Sequence, residues 1–426
     1  MRGREVKKIL TNPIIYVAGL TALPLYAMEA ISDREMSEVS GQAFITVDAS
    51  SYSRNAGDEW DGDYEFTKVN LGLDVETLFT ADSLRIGEFE RTVYEDGTVP
   101  ATITIDSQDI DDTKIGQAYD LDGDGQFDTL PADIIIENFA LGRVVNYRDA
   151  SSAIIGSSED GGDPFKIRDP FIELAYKLEG GERRISGVRL GLGQAKGWLS
   201  GDLLSLTGIL QGNIKGPVSI VYEQPPCNGN PIAGVNCLLL SLAQSTEIFS
   251  EINLVDGAEN SEGFGYAAGT EANDRLAYPY SDVPYLKRAS WAGVAAGRNF
   301  ESDFGNLGAL IPLLTGAQDC SILGTPGCFS LSTFQSIYIG NDNDDLTFDQ
   351  TAASGVFLSL QSGSIPWEDL SGLDDADRVL TQRGAFINIA KYKANGAERF
   401  PLFLDLTQAV AGSPRVATCV GFVKGC

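Results

Sequence analysis

The sequence predicts a mainly all-β protein. Its body is an elongated, glycine-rich antiparallel β-sheet, a sandwich or a solenoid-like stack, with a smaller mixed region of loops and helices. Three observations lead there. Apolar residues recur at every second position in Val188, Leu190 and Leu192, and again in Leu204, Leu206 and Leu210 if Gly208 stands in for a side chain, the period of a strand with one buried face. Eight glycines punctuate the same stretch, Gly187, Gly191, Gly193, Gly197, Gly201, Gly208, Gly212 and Gly216, and repeated strand glycines mark bulges, bends or close backbone approach. Strand-like segments also recur along the chain between acidic or glycine-containing turns. Residues 183–216 read as three short strands around which the rest is organised.

Residues 1–27 have the pattern of a secretory signal. Arg2, Arg4, Lys7 and Lys8 form a charged start, Ile14 to Leu23 an apolar run, and Ala27 a small residue at the cut. The run is too short for a membrane span. Residues 28–64 form an N-terminal capping segment and an acidic loop. Ser32 and Glu35 have capping-box spacing and Gly41 can end a short helix, or the stretch is a linker. Phe44 to Val47 alternates as a first strand.

Residues 65–222 make up the glycine-rich body, with strands at Phe66–Val75, Ser83–Gly87, Thr102–Ile105, Asp133–Val145 and Pro170–Tyr176. Residues 223–345 change character. Asn236 can cap a helix carrying Leu238, Leu239, Leu242, Phe249 and Ile252 near helical spacing. Tyr266, Tyr278, Tyr280 and Tyr285 lie in a proline-rich loop, and Leu307 to Leu314 reads as a short buried helix. Residues 346–426 return to strands at Gly355–Gln361 and Gly384–Ile389. The segments lack the regular ten-residue alternation of a transmembrane barrel.

The chain has 426 residues, 60 acidic and 31 basic, for a net charge of -29. Such a chain repels nucleic acid and anionic surfaces. Histidine is absent, which removes the Ser-His-Asp and Cys-His nucleophiles and the commonest zinc ligand. No catalytic constellation stands out, and the chain reads as no enzyme. A carboxylate-only glycosidase would need a cleft with two acids at the separation that chemistry demands.

The six cysteines fall in three close pairs, Cys227/Cys237, Cys320/Cys328 and Cys419/Cys426. Local disulfides are expected of an exported protein, each contributing roughly 2.5–3 kcal/mol in the chain-entropy model. Metal binding would want a CxxC or a histidine, and neither is present.

One motif carries chemistry. Asp120-Leu121-Asp122-Gly123-Asp124-Gly125-Gln126-Phe127-Asp128 fits DxDxDGxxD. Carboxylates at alternate positions of a tight loop converge on one point, and Ca2+ takes six to eight oxygens. Asp120, Asp122, Asp124, Asp128 and the Gln126 carbonyl are the expected ligands. The position of the usual bidentate Glu is Pro131, so Asp133, Asp112 or water completes the set. Asn341–Asp345 is a weaker second acidic cluster, read as a solvated turn.

Four scattered segments resemble the secreted pilus-system proteins of the FilA type in Gram-negative bacteria. They are Val39–Ala43; Val69–Val75 with Leu84–Gly87; Asp169–Tyr176 leading to Arg184–Gly191; and Leu358–Gln361 with Trp367 and Arg383–Phe386. The resemblance implies a surface or pilus-associated role, with other surface proteins or further copies as partners, and no catalytic residues. The expectation is an exported, non-enzymatic surface, filament or adhesive component stabilised by calcium and disulfides, in the periplasm or at the cell surface. The alternative is a carrier of a hydrophobic ligand that uses Leu307–Leu314 and the tyrosine loop.

The calcium reading is testable by melting. Binding to the folded state alone adds about 2.7 kcal/mol at a hundredfold excess over Kd, and extracellular sites of this type bind at about 0.1–1 mM. Millimolar calcium should raise the Tm, and Asp122→Ala with Asp124→Ala should abolish the rise. Equal melting of the native protein in calcium and in chelator would make the loop a solvated turn.

Overall fold

Long alternating segments need neighbours to satisfy their backbone N–H and C=O groups, and the chain provides them by folding most of its length into strands. In the computed structural model, 63% of the described residues are strand and 11% helix, and the sheets are not closed. The structure describes residues 44–54, 62–88, 102–105, 108–111, 132–144, 147–148, 154–155, 162–255, 286–289, 291–294, 300–302, 317–318, 321–322, 325–326, 328–341, 347–373, 378–381 and 383–418. The all-β expectation is met.

The principal strands are β1 (Phe44–Tyr52), β2 (Asp63–Gly72), β3 (Asp74–Thr77), β4 (Phe79–Glu88), β5 (Ala132–Leu141), β6 (Phe165–Arg168), β7 (Phe171–Glu179), β8 (Glu182–Gly191) and β9 (Gln194–Pro217). Two short helices follow, α1 (Val218–Glu223) and α2 (Val235–Leu242). Then come β10 (Glu247–Val255), β11 (Leu286–Ala289), β12 (Trp291–Val294), β13 (Ser336–Ile339), β14 (Phe357–Gln361), β15 (Pro366–Glu368), β16 (Arg378–Leu380), β17 (Gly384–Ile389) and β18 (Phe403–Asp405).

Two expectations about elements are corrected. Residues 183–216 hold two strands rather than three: β8, and a single 24-residue β9. Their glycines do not break β9; they let other backbones reach it. The helix predicted with Asn236 as its cap takes Asn236 inside it, with Gly234 at the cap position, and ends at Leu242, while Phe249 and Ile252 lie in strand β10. The apolar spacing there fits either period over so short a run, and pairing of β10 with residues 211–217 of β9 decides for strand.

Strand β9 is the spine. It pairs with β5, β6, β10, β11, β13, β17, β18 and the two-residue strand Ala353–Ser354. Every residue from Ser205 to Gly212 is buried, as in a strand covered on both faces. It separates two cores. Leu199, Leu203, Leu206, Leu210 and Ile214 belong to the larger one. Ile209 joins Tyr64, Phe66, Phe357, Trp367 and Phe386 in the smaller. Residues 199 and 203 are odd, 206, 210 and 214 even. The change of phase coincides with irregular pairing to β5 between Leu203 and Ser205, because one extra residue in a strand transfers its side chains to the other face.

Gly208 shows why glycine is needed on the spine. Its φ is +142°, and a Cβ there would lie 1.9 Å from the Ile387 carbonyl oxygen of β17. The parallel pairing of Gly208–Leu210 with Ile387–Ile389 exists only because no side chain stands between the strands.

Strands β2, β7, β8, β14 and β17 lie side by side in that order, all antiparallel. Strand β1 pairs with β2, and Asn70 Nδ2 reaches back to Thr46 Oγ1 at 3.2 Å and Asp48 Oδ2 at 2.6 Å.

Candidate functional site

In an antiparallel sheet, residues directly opposite share a face. One row runs Lys68, Glu173, Arg189, Ser359, Phe386, and the next runs Val69, Ile172, Leu190, Leu358, Ile387. A sheet facing water would bury the second row and expose the first. At β7 and β8 the opposite is found, while toward β14 and β17 the second row, Leu358 and Ile387, is half-buried against the larger core. Arg189 is 0% exposed and Glu173, Ser359, Gln361 and Asn388 are buried, while Leu190 is 46% and Ile172 44% exposed. The expectation that Val188, Leu190 and Leu192 form the buried face of their strand is therefore overturned: Val188 and Leu192 are half-buried, and Leu190 faces out.

The buried row is built around one ion pair. Arg189 Nε donates to Glu173 Oε2 at 2.8 Å and its Nη2 donates to the same oxygen. Its Nη1 donates to the Glu368 carbonyl at 2.7 Å. The guanidinium lies 5.3 Å from the ring centre of Phe171 and 5.0 Å from those of Phe357 and Trp367. Burial pulls the Arg189 pKa below its usual range, and the Glu173 carboxylate opposes that shift. The β15–β16 hairpin supplies the cover. Trp367 is fully buried and its Nε1 donates to Gln361 Oε1 at 3.2 Å. Every hydrogen-bonding edge of the charged pair is thus turned inward. With both side chains shut off from solvent, the pair positions the sheet.

The outward face carries Ile45 and Val47 of β1, Thr67, Val69 and Leu71 of β2, Ile172 and Leu174 of β7, Val188 and Leu190 of β8, and Leu360 of β14, and it runs into the larger core at Leu358. Ile45, Val47, Ile172, Leu190 and Leu360 are all exposed. These rows hold no charged residue. Among the described residues, charge enters this face toward the β7–β8 turn, where Arg183 pairs with Glu65 at 2.8 Å and stacks over Tyr176 at 4.3 Å. Large contiguous apolar patches on folded proteins are commonly contact sites.

Other groupings are weaker. A cleft of about 210 Å³ near that turn is lined by Tyr64, Lys177, Glu179 and Arg184 among others. Its size falls below the range of about 300–1,000 Å³ typical of ligand pockets, and Lys177 is already bonded to Glu179 at 3.1 Å. Arg168 gathers Asp74, at 3.0 Å, and Asp349. Burial, followed by the nearby Asp74 carboxylate, raises the pKa of adjacent Asp169.

Of the residues singled out from sequence, the Cys227–Cys237 disulfide is present, with Cα atoms 5.3 Å apart. Cys320, Cys419 and Cys426, and the side chain of Cys328, lie outside the described residues. So do Asp112, the whole Asp120–Asp128 loop including Asp122, Asp124 and Gln126, the tyrosine loop, Leu307–Leu314 and Asp342–Asp345. Asp133, one proposed completion of the calcium set, is buried in β5 and its Oδ2 accepts from the Ala385 N–H at 2.8 Å. It ties β5 to β17. Among the described residues no three acidic or cysteine side chains converge on a point. The Arg189–Glu173 pair was missed. Its signal was present as single charges of opposite sign at the centres of two alternating segments, Phe171–Tyr176 and Val188–Leu192.

Comparison with known proteins gives no match to a family model, a curated protein or a solved structure.

Removing one partner of the pair should be far worse than removing both. Glu173→Ala strands a buried guanidinium and should cost about 3–5 kcal/mol in urea unfolding. Glu173→Leu with Arg189→Met should restore most of that, since a well-packed apolar replacement is often neutral. A single substitution costing under about 1 kcal/mol would show that the pair is not buried as described.

Proposed function

We propose that this chain is a non-enzymatic component of an exported surface assembly of the pilus, filament or adhesive kind, stapled by disulfides and stabilised by calcium. The observation that carries this reading is the uncharged aliphatic face of β1, β2, β7, β8 and β14. A chain with a net charge of -29 keeps its copies and most acidic neighbours apart. Its close contacts are therefore best made where no carboxylate is opposed. The resemblance to FilA-type pilus-system proteins and the signal-like first 27 residues support the same reading. The inward-turned ion pair suits it as well, because it keeps those two charges off the outer face.

The experiment is immunogold electron microscopy of surface preparations. Ile172→Lys with Leu190→Glu places opposite charges directly across β7 and β8, so the strands keep a favourable pair while the face acquires charge. The native protein should decorate surface filaments. The variant, exported in equal amount and folded by circular dichroism, should not. Native protein retained in the cytoplasm, or equal decoration by the variant, would overturn the reading.

A further inference from the structure

A second apolar surface lies on different elements. From Gln224 to Thr246 the chain has no Asp, Glu, Lys or Arg, bounded by Glu223 and Glu247. Within this uncharged stretch, Ile232 is 88%, Val235 75%, Leu238 49% and Leu242 71% exposed. Val235, Leu238 and Leu242 are spaced three and four apart on α2, so they form one stripe. The opposite side of the helix is used up, with Cys237 and Leu240 buried.

The stripe is held outward. The Cys227–Cys237 disulfide ties the loop to the helix. Tyr222 Oη donates to the Gly229 carbonyl at 2.6 Å, and the Val218 N–H donates to Thr246 O at 2.9 Å. These bonds fix both ends of the segment to α1, and the exposed side chains cannot fold back without undoing Leu240. The result is a rigid apolar knob.

Two features select its occupant. The first is size. An eight-residue helix is about 12 Å long, and its stripe with one loop side chain offers far less than the roughly 800 Å² per partner of a stable protein interface. A second copy held by the knob alone would not stay bound. Hydrocarbon requires no matching surface, because each methylene that leaves water contributes whatever the shape of the receiving phase. The second is charge. The knob has no cation to attract an anionic headgroup, and the chain's own charge repels one.

We infer that the disulfide-closed knob, Ile232 with the Val235–Leu238–Leu242 stripe, docks on the hydrocarbon edge of a zwitterionic lipid surface. It uses none of the residues of the β-sheet face and stands whether or not the assembly reading holds.

The test is flotation of the full-length oxidised protein with phosphatidylcholine vesicles. The native protein should float, and raising the salt should not release it. Replacing a third of the lipid by phosphatidylserine should weaken the binding. Ile232→Ser with Leu242→Ser should lower partitioning at least about tenfold, with its melting temperature and the Cys227–Cys237 peptide unchanged. The Ile172→Lys, Leu190→Glu protein should float like the native one. Native protein that stays at the bottom, equal flotation of the knob variant, or binding that requires anionic lipid would overturn the inference. So would a dimer in sedimentation velocity that the knob variant loses, since the knob would then be a contact between copies.

Discussion

Strand β9 has to serve two cores at once, and most other features follow from that. A strand with one wet face can alternate apolar and polar side chains; a strand buried on both faces cannot. From Ser205 to Gly212 the chain therefore alternates direction between cores, sending Leu206 and Leu210 one way and Ile209 the other. It also accepts eight partners along its 24 residues. Several of those partners approach at glycines: Gly197 against Phe165, Gly201 against Ile136 and Glu137, Gly208 against Ile387, and Gly212 against Leu402. Spacing the glycines along one strand is what permits so many strands to meet it.

The second core then shapes the surface. Its lining includes a guanidinium and a carboxylate, whose burial is costly unless they are paired and fully hydrogen-bonded. The Glu368 carbonyl, three aromatic rings and the β15–β16 cover meet that need. Because strand side chains alternate, placing Glu173 and Arg189 inside puts Ile172 and Leu190 outside. The apolar outer face and the buried ion pair are two sides of one register.

Part of this was legible in the sequence. The central position of residues 183–216, the strand at Gly384–Ile389 and the Cys227–Cys237 bridge could be read from alternation, glycine spacing and loop length. The direction of β8 could not. Alternation says that Val188 and Leu190 share a face; it does not say which face is covered, because that depends on Trp367 and the hairpin that carries it, nearly 180 residues away. The length of β9 was missed for a related reason: its glycines look like strand ends until the strands that fill their space are known. The run from Leu238 to Ile252 satisfied a helical period only by spanning a helix and a strand. The Asp120–Asp128 motif lies outside the described residues.

The claim on which the rest depends is that β9 belongs to both cores and cannot open without either. Native-state hydrogen exchange across a urea series tests it most directly. The amides of Leu206 to Gln211 should exchange only through global unfolding, with the full unfolding free energy and the full denaturant dependence, while the turn end of the β7–β8 hairpin opens earlier. Exchange of Leu206 to Gln211 through a smaller, local opening, with the hairpin still protected, would contradict it.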